Sequence, residues 1–295
     1  QLPDVNGSIR PEFVQLFDVI KQQDPSVAEN YEQFFKWINL LINVQTDPFG
    51  KIIKVNLCPQ LAEAMYHIPF VIGRPIKELL QSRKTEPSYL ARLMDFVPAK
   101  GRLKVFSLNY DCCLEDACHA TGFDVTTGFD PVTKKWNPSL FRLASKGINL
   151  YKLHGSLRWF PVQIKGMLLE LKPEDRQRLL PNVNVADEPE LVLGPGHKIQ
   201  ADDPFLTLFY QFHTAIQQAK TCVVIGYGYG DDHINAVIKR GLEAGVSVID
   251  VNPGGPSGYF QRRGYSYQHV GTSGRPFPSA RDALTNPEIL APYFH

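Results

Sequence analysis

No run of about 18 or more apolar residues occurs anywhere in the 295-residue sequence, and no basic, apolar, small-residue leader opens it. Neither a membrane span nor a signal peptide is therefore visible. An excess of one charge is missing too: 31 basic against 30 acidic residues leave a formal net charge of +1, which excludes a global field for nucleic acid or an acidic membrane surface. The basic stretch Gln261-Arg262-Arg263 is too short to form a nucleic-acid stripe. Cysteine is scarce. There are five, with Cys58 and Cys222 isolated and Cys112, Cys113 and Cys118 crowded on one predicted helix, so no spaced CxxC pair argues for structural zinc or a disulfide framework. A reducing, cytoplasmic setting is the expectation. No G-x-S-x-G elbow occurs, and Ser156 lacks a second base and orienting carboxylate, which disfavours a serine nucleophile. The chain begins at Gln1 without an initiating Met and reads as trimmed. No internal repeat or low-complexity tract is present.

What the chain does contain is a change of pattern near residue 100. Residues 11–97 read as helices: Phe13, Leu16, Phe17 and Ile20 follow helical spacing, and Tyr31, Phe34, Phe35, Ile38, Leu41 and Ile42 continue it. Pro25 interrupts, and Ser26 with Glu29 forms a capping-box pattern. Further helices are expected over 59–68 and 86–97. From residue 103 short apolar runs alternate with helices. Strands are expected over 103–108, 148–153, 222–225 and 246–250, with 191–193 resuming the sheet after an excursion at 158–190. Helices are expected over 112–120, from a cap at Asp203 with Pro204 in its first turn, and from a cap at Asp232 to a stop at Gly245. A strand, crossover helix and strand over 222–250 requires parallel pairing. The fold class is α/β, a Rossmann-like doubly wound parallel sheet with a helical insertion or cap. The expected organisation is one domain over 1–295, with the insertion at 11–97, the core at 103–253 and a partly mobile Gly, Pro and Ser-rich tail at 254–295.

In such a sheet, ligands bind outside the carboxyl ends of the strands. Four predicted strands end at Asn109, His154, Gly226 and Asn252, with Asp111 and Asp250 beside them. His154 followed by Gly155 and Ser156 is either a satisfied structural histidine or a general base, because imidazole titrates nearest neutral pH. Asn109 is either a strand-end cap or an amide that orients a hydroxyl or water. Gly226-Tyr227-Gly228-Tyr229-Gly230 follows a strand and opens a helix, the context in which backbone amides hold a phosphate or ribose, although a tight turn explains it equally well. Asp231, Asp232 and His233 read as helix capping rather than as metal ligands.

Together these motifs resemble the sirtuin superfamily, and specifically the sirtuin-like NAD-hydrolysing domains of bacterial antiphage defence proteins. Asn109-Tyr110-Asp111 is similar to that branch's Asn-Tyr-Asp, and His154-Gly155 to the family's His-Gly, with Ser156 and Trp159 following. The late strand and turn resemble residues 223–230, Asp232-His233-Ile234-Asn235 resembles the branch's helix start, and Asn252 matches the residue on the adenosine ribose. Leu2-Pro3-Asp4 resembles the segment after the family's phosphate loop, which places that loop upstream of Gln1. The departures are equally specific. Sirtuin deacylases carry a zinc ribbon with paired CxxC motifs, whereas residues 157–190 contain no cysteine. Leu108 stands where the family has Gln, and Val5-Asn6 replace its Phe-Arg.

The resemblance implies an NAD glycohydrolase with NAD as substrate and no metal. Its catalytic residues would be Asn109 and His154, and its cofactor-side residues Pro3, Asp4, Ser107, Asp111, Gly226, Tyr227, Gly228, Asp250 and Asn252. It further implies an abortive-infection effector that is homo-oligomeric or gated by a HerA-like ATPase or additional defence domains. The alternatives are a module that senses NAD or ADP-ribose without turnover, and an NAD-dependent protein deacylase or ADP-ribosyltransferase.

Overall fold

The computed structural model describes residues 11–28, 33–34, 37, 88–162, 167–172, 174–175, 185–186, 189–192, 202–256, 258–261, 263–271 and 278–293. Pro3, Asp4, Glu29, Cys58 and the expected helix at 59–68 lie outside these residues. The chain divides into two compact units, Gln1–Lys84 with Ala186–Lys198, and Thr85–Val185 with Ile199–His295.

In the first unit, helix α1 spans Pro11–Gln23 and buries Leu16 and Ile20, the apolar stripe that helical spacing requires. The helix ends before a 3-10 turn, Pro25–Ala28. The side chain that holds this turn is Asp24 rather than Ser26. Its Oδ1 accepts the Ser26 amide at 3.0 Å and the Ser26 hydroxyl at 2.6 Å, because the Ser26 hydroxyl donates backwards instead of capping forwards.

The second unit carries the strands. β1 (Arg102–Ser107), α2 (Cys113–Ala120), β2 (Val125–Thr126) and β3 (Gly147–Lys152) come first, and the order β1-β3-β2 is parallel throughout. β3 is central and buried at all six positions, as expected of a strand covered on both faces. A hairpin follows, β4 (Trp159–Pro161) against β5 (Leu168–Glu170), within the expected excursion at 158–190. Next come α3 (Phe205–Gln218), β6 (Thr221–Ile225), α4 (Asp232–Glu243), β7 (Ser247–Val251) and β8 (Tyr267–His269), with β6-β7-β8 a second parallel sheet. These parallel sheets with flanking helices make a Rossmann-like α/β fold.

Several expectations change. The helix expected over 86–97 is a 3-10 helix, Ser88–Phe96. Its Leu90 and Leu93 pack on the core of Leu114, Cys118, Ile148 and Leu150, and its Phe96 on that of Ile249 and Val251. Leu191 makes only an isolated bridge, and Leu193 of the expected strand lies outside the described residues. The described residues of the tail include regular structure: β8 pairs onto β7, α5 (Ala280–Thr285) is closed by a Ser279 and Asp282 capping box, and Phe260, Val270, Ala283 and Leu290 are buried. Its buried apolar residues outweigh its loop-like composition. At α3, Asp203 accepts the Thr207 amide at 3.2 Å, and Pro204 rather than Asp203 holds the cap position. At α4 the N-cap residue is Asp231, not Asp232.

Candidate active site

Strand register places the first half of the site. Ser107 of β1 pairs with Lys152 of β3, so Asn109 and His154 each lie two residues beyond a paired position, at the same end of neighbouring parallel strands. The two segments stay joined past the strands, where the Leu153 amide donates to the Ser107 carbonyl at 2.9 Å and the Leu157 amide to the Tyr110 carbonyl at 3.0 Å. Ser107 turns the chain by accepting the Asn109 amide on its hydroxyl at 3.1 Å, which leaves Asn109 exposed. Asp111 opens α2, accepting the Cys113 amide on Oδ1 at 3.0 Å. His154 is 3% exposed, and Gly155 follows at φ +92°, the left-handed region that favours glycine.

The second half forms where β6 and β7 end. Gly226 takes φ +66° while its amide donates to the Val251 carbonyl at 2.9 Å. Asn252 braces this turn: its Nδ2 donates to the Tyr227 carbonyl at 3.1 Å and its Oδ1 accepts the Gly254 amide at 3.0 Å. The Tyr227 hydroxyl accepts the Asp231 amide at 3.1 Å and shares a 3.1 Å hydrogen bond with Asn235 Oδ1, tying the turn to α4. An added Cβ on Gly228 would meet nothing within 4 Å, so the turn faces open space there. Asp250 has no exposed surface, and its carboxylate accepts the Tyr267 hydroxyl with Tyr229 alongside.

The two halves meet at histidines. The His154 ring lies 6.0 Å from that of His233 in the first turn of α4, with Tyr110 6.4 Å away and Phe209 of α3 5.7 Å from His233. His233 is a site neighbour that sequence reasoning assigned to helix capping; its position just after the Gly-rich turn was the available signal.

Beneath the 109–111 loop sits a pair that the sequence left unmarked, Lys152 and Glu115, with Lys152 Nζ 3.2 Å from Glu115 Oε1. Burial acts to lower the Lys152 pKa, but the Glu115 carboxylate and its hydrogen bond, with Asp111, outweigh it and hold the ammonium above its usual range. Burial, reinforced by Glu115, pushes the adjacent Cys112 thiol up to about 12, so it is no nucleophile at neutral pH. Among the described residues, no group of three or more His, Cys, Asp or Glu side chains is placed to hold a metal ion, and no helix is long and apolar enough to cross a membrane.

Parallel strands delivering polar side chains to a common end, beside a Gly-rich strand-to-helix turn, define a Rossmann-like α/β domain with its candidate site at the carboxyl ends of the strands. Residues 103–247 match the family model of the SIR2-like domain. Similar solved structures include one of a Sir2 enzyme addressing mechanism and regulation, 13% identical over 78% of this chain and 80% of that chain, with a TM-score of 0.43. Another is Sir2 with the inhibitor EX-527, 2'-O-acetyl-ADP-ribose and deacetylated p53 peptide, 14% identical over 79% and 83%, TM-score 0.41. A third is Sir2 with p53 peptide and NAD+, 13% identical over 79% and 80%, TM-score 0.41. No curated protein matches the sequence.

Proposed function

We propose that this domain hydrolyses NAD to nicotinamide and ADP-ribose, as the effector of a bacterial antiphage defence assembly acting in the cytoplasm. The observation that supports the reading is the β1 and β3 register that sets Asn109 and His154 side by side. In the proposed reaction the bond between nicotinamide nitrogen and ribose C1' breaks, and its electron pair neutralises the pyridinium. Water attacks C1' through an oxocarbenium-like state, and its proton passes to His154 and then to solvent. Asn109 positions the water or a ribose hydroxyl. Asp111, with one oxygen committed to the Cys113 amide, offers the other to the nicotinamide carboxamide. Ser107 shapes the loop, residues 226–228 approach ribose and phosphate, Asn252 and Asp250 serve the adenosine side, and Pro3 and Asp4 serve the cofactor's phosphates. No metal enters the scheme.

An NAD hydrolase running freely would empty the cell of its cofactor. We therefore assign its control to assembly, either as a homo-oligomer or with a HerA-like ATPase or further defence domains, through the helical insertion or cap at 11–97. Val14 and Val19, 42% and 44% exposed on α1, support a contact there.

The test is nicotinamide release from NAD by the purified protein, with and without cell lysate. Asn109→Ala and His154→Ala are expected to abolish release with the fold intact, and unchanged turnover in both overturns the proposal. Saturable NAD binding without release would identify a sensing module. A requirement for a protein acceptor would identify a deacylase or ADP-ribosyltransferase.

A further inference from the structure

Lys152 is 1% exposed and Glu115 8% exposed, so both charges have left water at considerable cost. An apolar pair of the same volume would serve core stability as well or better, which makes ion pairing alone a poor account of these residues. The donor geometry gives a better one. An ammonium has three N–H donors, and Lys152 Nζ has three acceptors: Glu115 Oε1 at 3.2 Å, the Tyr110 carbonyl at 3.3 Å, and the Asp111 carbonyl in close contact. Two of the three are consecutive carbonyls of the loop that carries Asn109 and Asp111. No donor remains for a substrate. Lys152 is also the last residue of β3, two before His154, so one fully buried strand ends in the anchor of the facing loop and leads directly to the candidate base. Glu115, in the first turn of α2, fixes the ammonium from the other side.

We infer that the buried Lys152 and Glu115 pair is a clamp that holds the 109–111 loop in register with His154, which makes Lys152 a positioning residue for the reaction. The inference rests on the hydrolase reading for its effect on turnover, but not for its effect on the loop. A hydrophobic pair fills the space without gripping the carbonyls. A displacement of about 1 Å at a reacting group is enough to lower turnover roughly 100-fold.

The experiment compares the full chain with Lys152→Met/Glu115→Leu, which removes both charges together and leaves neither orphaned, and with Glu115→Gln, which keeps an acceptor for Lys152. Three quantities are read: melting temperature, amide hydrogen exchange over residues 108–113, and kcat and KM for NAD. The double variant is expected to melt near the parent temperature, exchange faster over 108–113 alone, and lose about 100-fold in kcat. Glu115→Gln is expected to retain loop protection and kcat within a few-fold. Parent-like loop exchange in a folded double variant overturns the clamp. So does loss of turnover in Glu115→Gln with loop protection intact, because that assigns the role to charge rather than to position. If the double variant does not fold, the clamp is judged on Glu115→Gln by the same criteria. If the parent releases no nicotinamide yet the double variant loosens 108–113, the clamp stands and the hydrolase reading fails.

Discussion

The imidazoles of His154 and His233 lie 6.0 Å apart between centroids at an interplanar angle of 37°, although one follows β3 and the other opens the helix after β6. This contact brings the strand-end loops of two separate parallel sheets to one place. It also sets two imidazoles side by side, with the Phe209 ring centroid 5.7 Å from that of His233.

His233→Phe keeps a ring against Phe209 and deletes both nitrogens. The expected result is a melting temperature close to that of the parent and nicotinamide release reduced about 10- to 100-fold, the scale on which a polar group acting on proton transfer contributes. Thermal melting together with single-turnover NAD cleavage checks this. Full turnover would reduce His233 to a packing ring.

The Gly-rich turn separates conformation from ligand access. Gly226 sits at φ +66°, where an L side chain costs about 1–2 kcal/mol, so Gly226→Ala is expected to lower stability measurably. Gly228 has no positive φ, and an added Cβ there meets open space. Gly228→Ala should therefore change stability by no more than about 0.5 kcal/mol. If the turn holds the ribose or phosphate, the same change is expected to weaken NAD binding about tenfold or more in a calorimetric titration. Unchanged affinity would remove the turn from the ligand site.

The sequence made the framework legible where the physics is local. The runs ending near Asn109, His154, Gly226 and Asn252 are apolar, short and bounded by turn residues, and all four are strands within a residue or two of expectation. β2, β4, β5 and β8 are only two or three residues long, too short for any periodicity to register. The Lys152 and Glu115 pair was hidden for another reason. Its members stand 37 residues apart, and a lysine in a strand or a glutamate in a helix looks solvated until the register is known. His233 was legible as part of a motif but not as a neighbour of His154, because that contact depends on how the two sheets meet.

Glu170 predicts a pH effect on stability. Burial raises its pKa above the ordinary carboxylate value, against the lowering effect of the Thr127 hydroxyl at 2.8 Å and the Trp159 indole N–H at 3.2 Å. The folded protein thus holds this proton at a pH where the unfolded chain has released it. Stability falls as pH rises from the ordinary carboxylate value through the raised one, then levels. Glu170→Gln stays neutral, with its oxygen accepting from Trp159 and its amide donating to the Thr127 hydroxyl. Denaturant midpoints between pH 4 and 8 are expected to show this component of the decline in the parent and its loss in the variant; identical pH dependence in both would show that Glu170 does not titrate in that window.

Arg102 and Gly147 face each other across the β1 and β3 register that aligns Asn109 with His154. The Arg102 side chain is 3% exposed and fully engaged: Nε donates to Asn149 Oδ1 at 2.6 Å, Nη1 to Ser145 Oγ at 2.9 Å, Nη2 to the Ile148 carbonyl at 2.9 Å, and Asp124 completes an ion pair. A Cβ on Gly147 would lie 2.6 Å from Nη1 and 2.7 Å from Cζ, an overlap that a pinned guanidinium cannot relieve without breaking those bonds. Gly147→Ala is therefore expected to destabilise the fold by about 1–3 kcal/mol in chemical denaturation. It should also lower nicotinamide release, because the same strand pair carries both candidate catalytic residues. Its cost is expected to shrink when Arg102 is first replaced by alanine, since the clash partner is then gone and the two effects cease to add. An equal cost in both backgrounds would mean that the guanidinium moves aside and that Gly147 is required for some other reason.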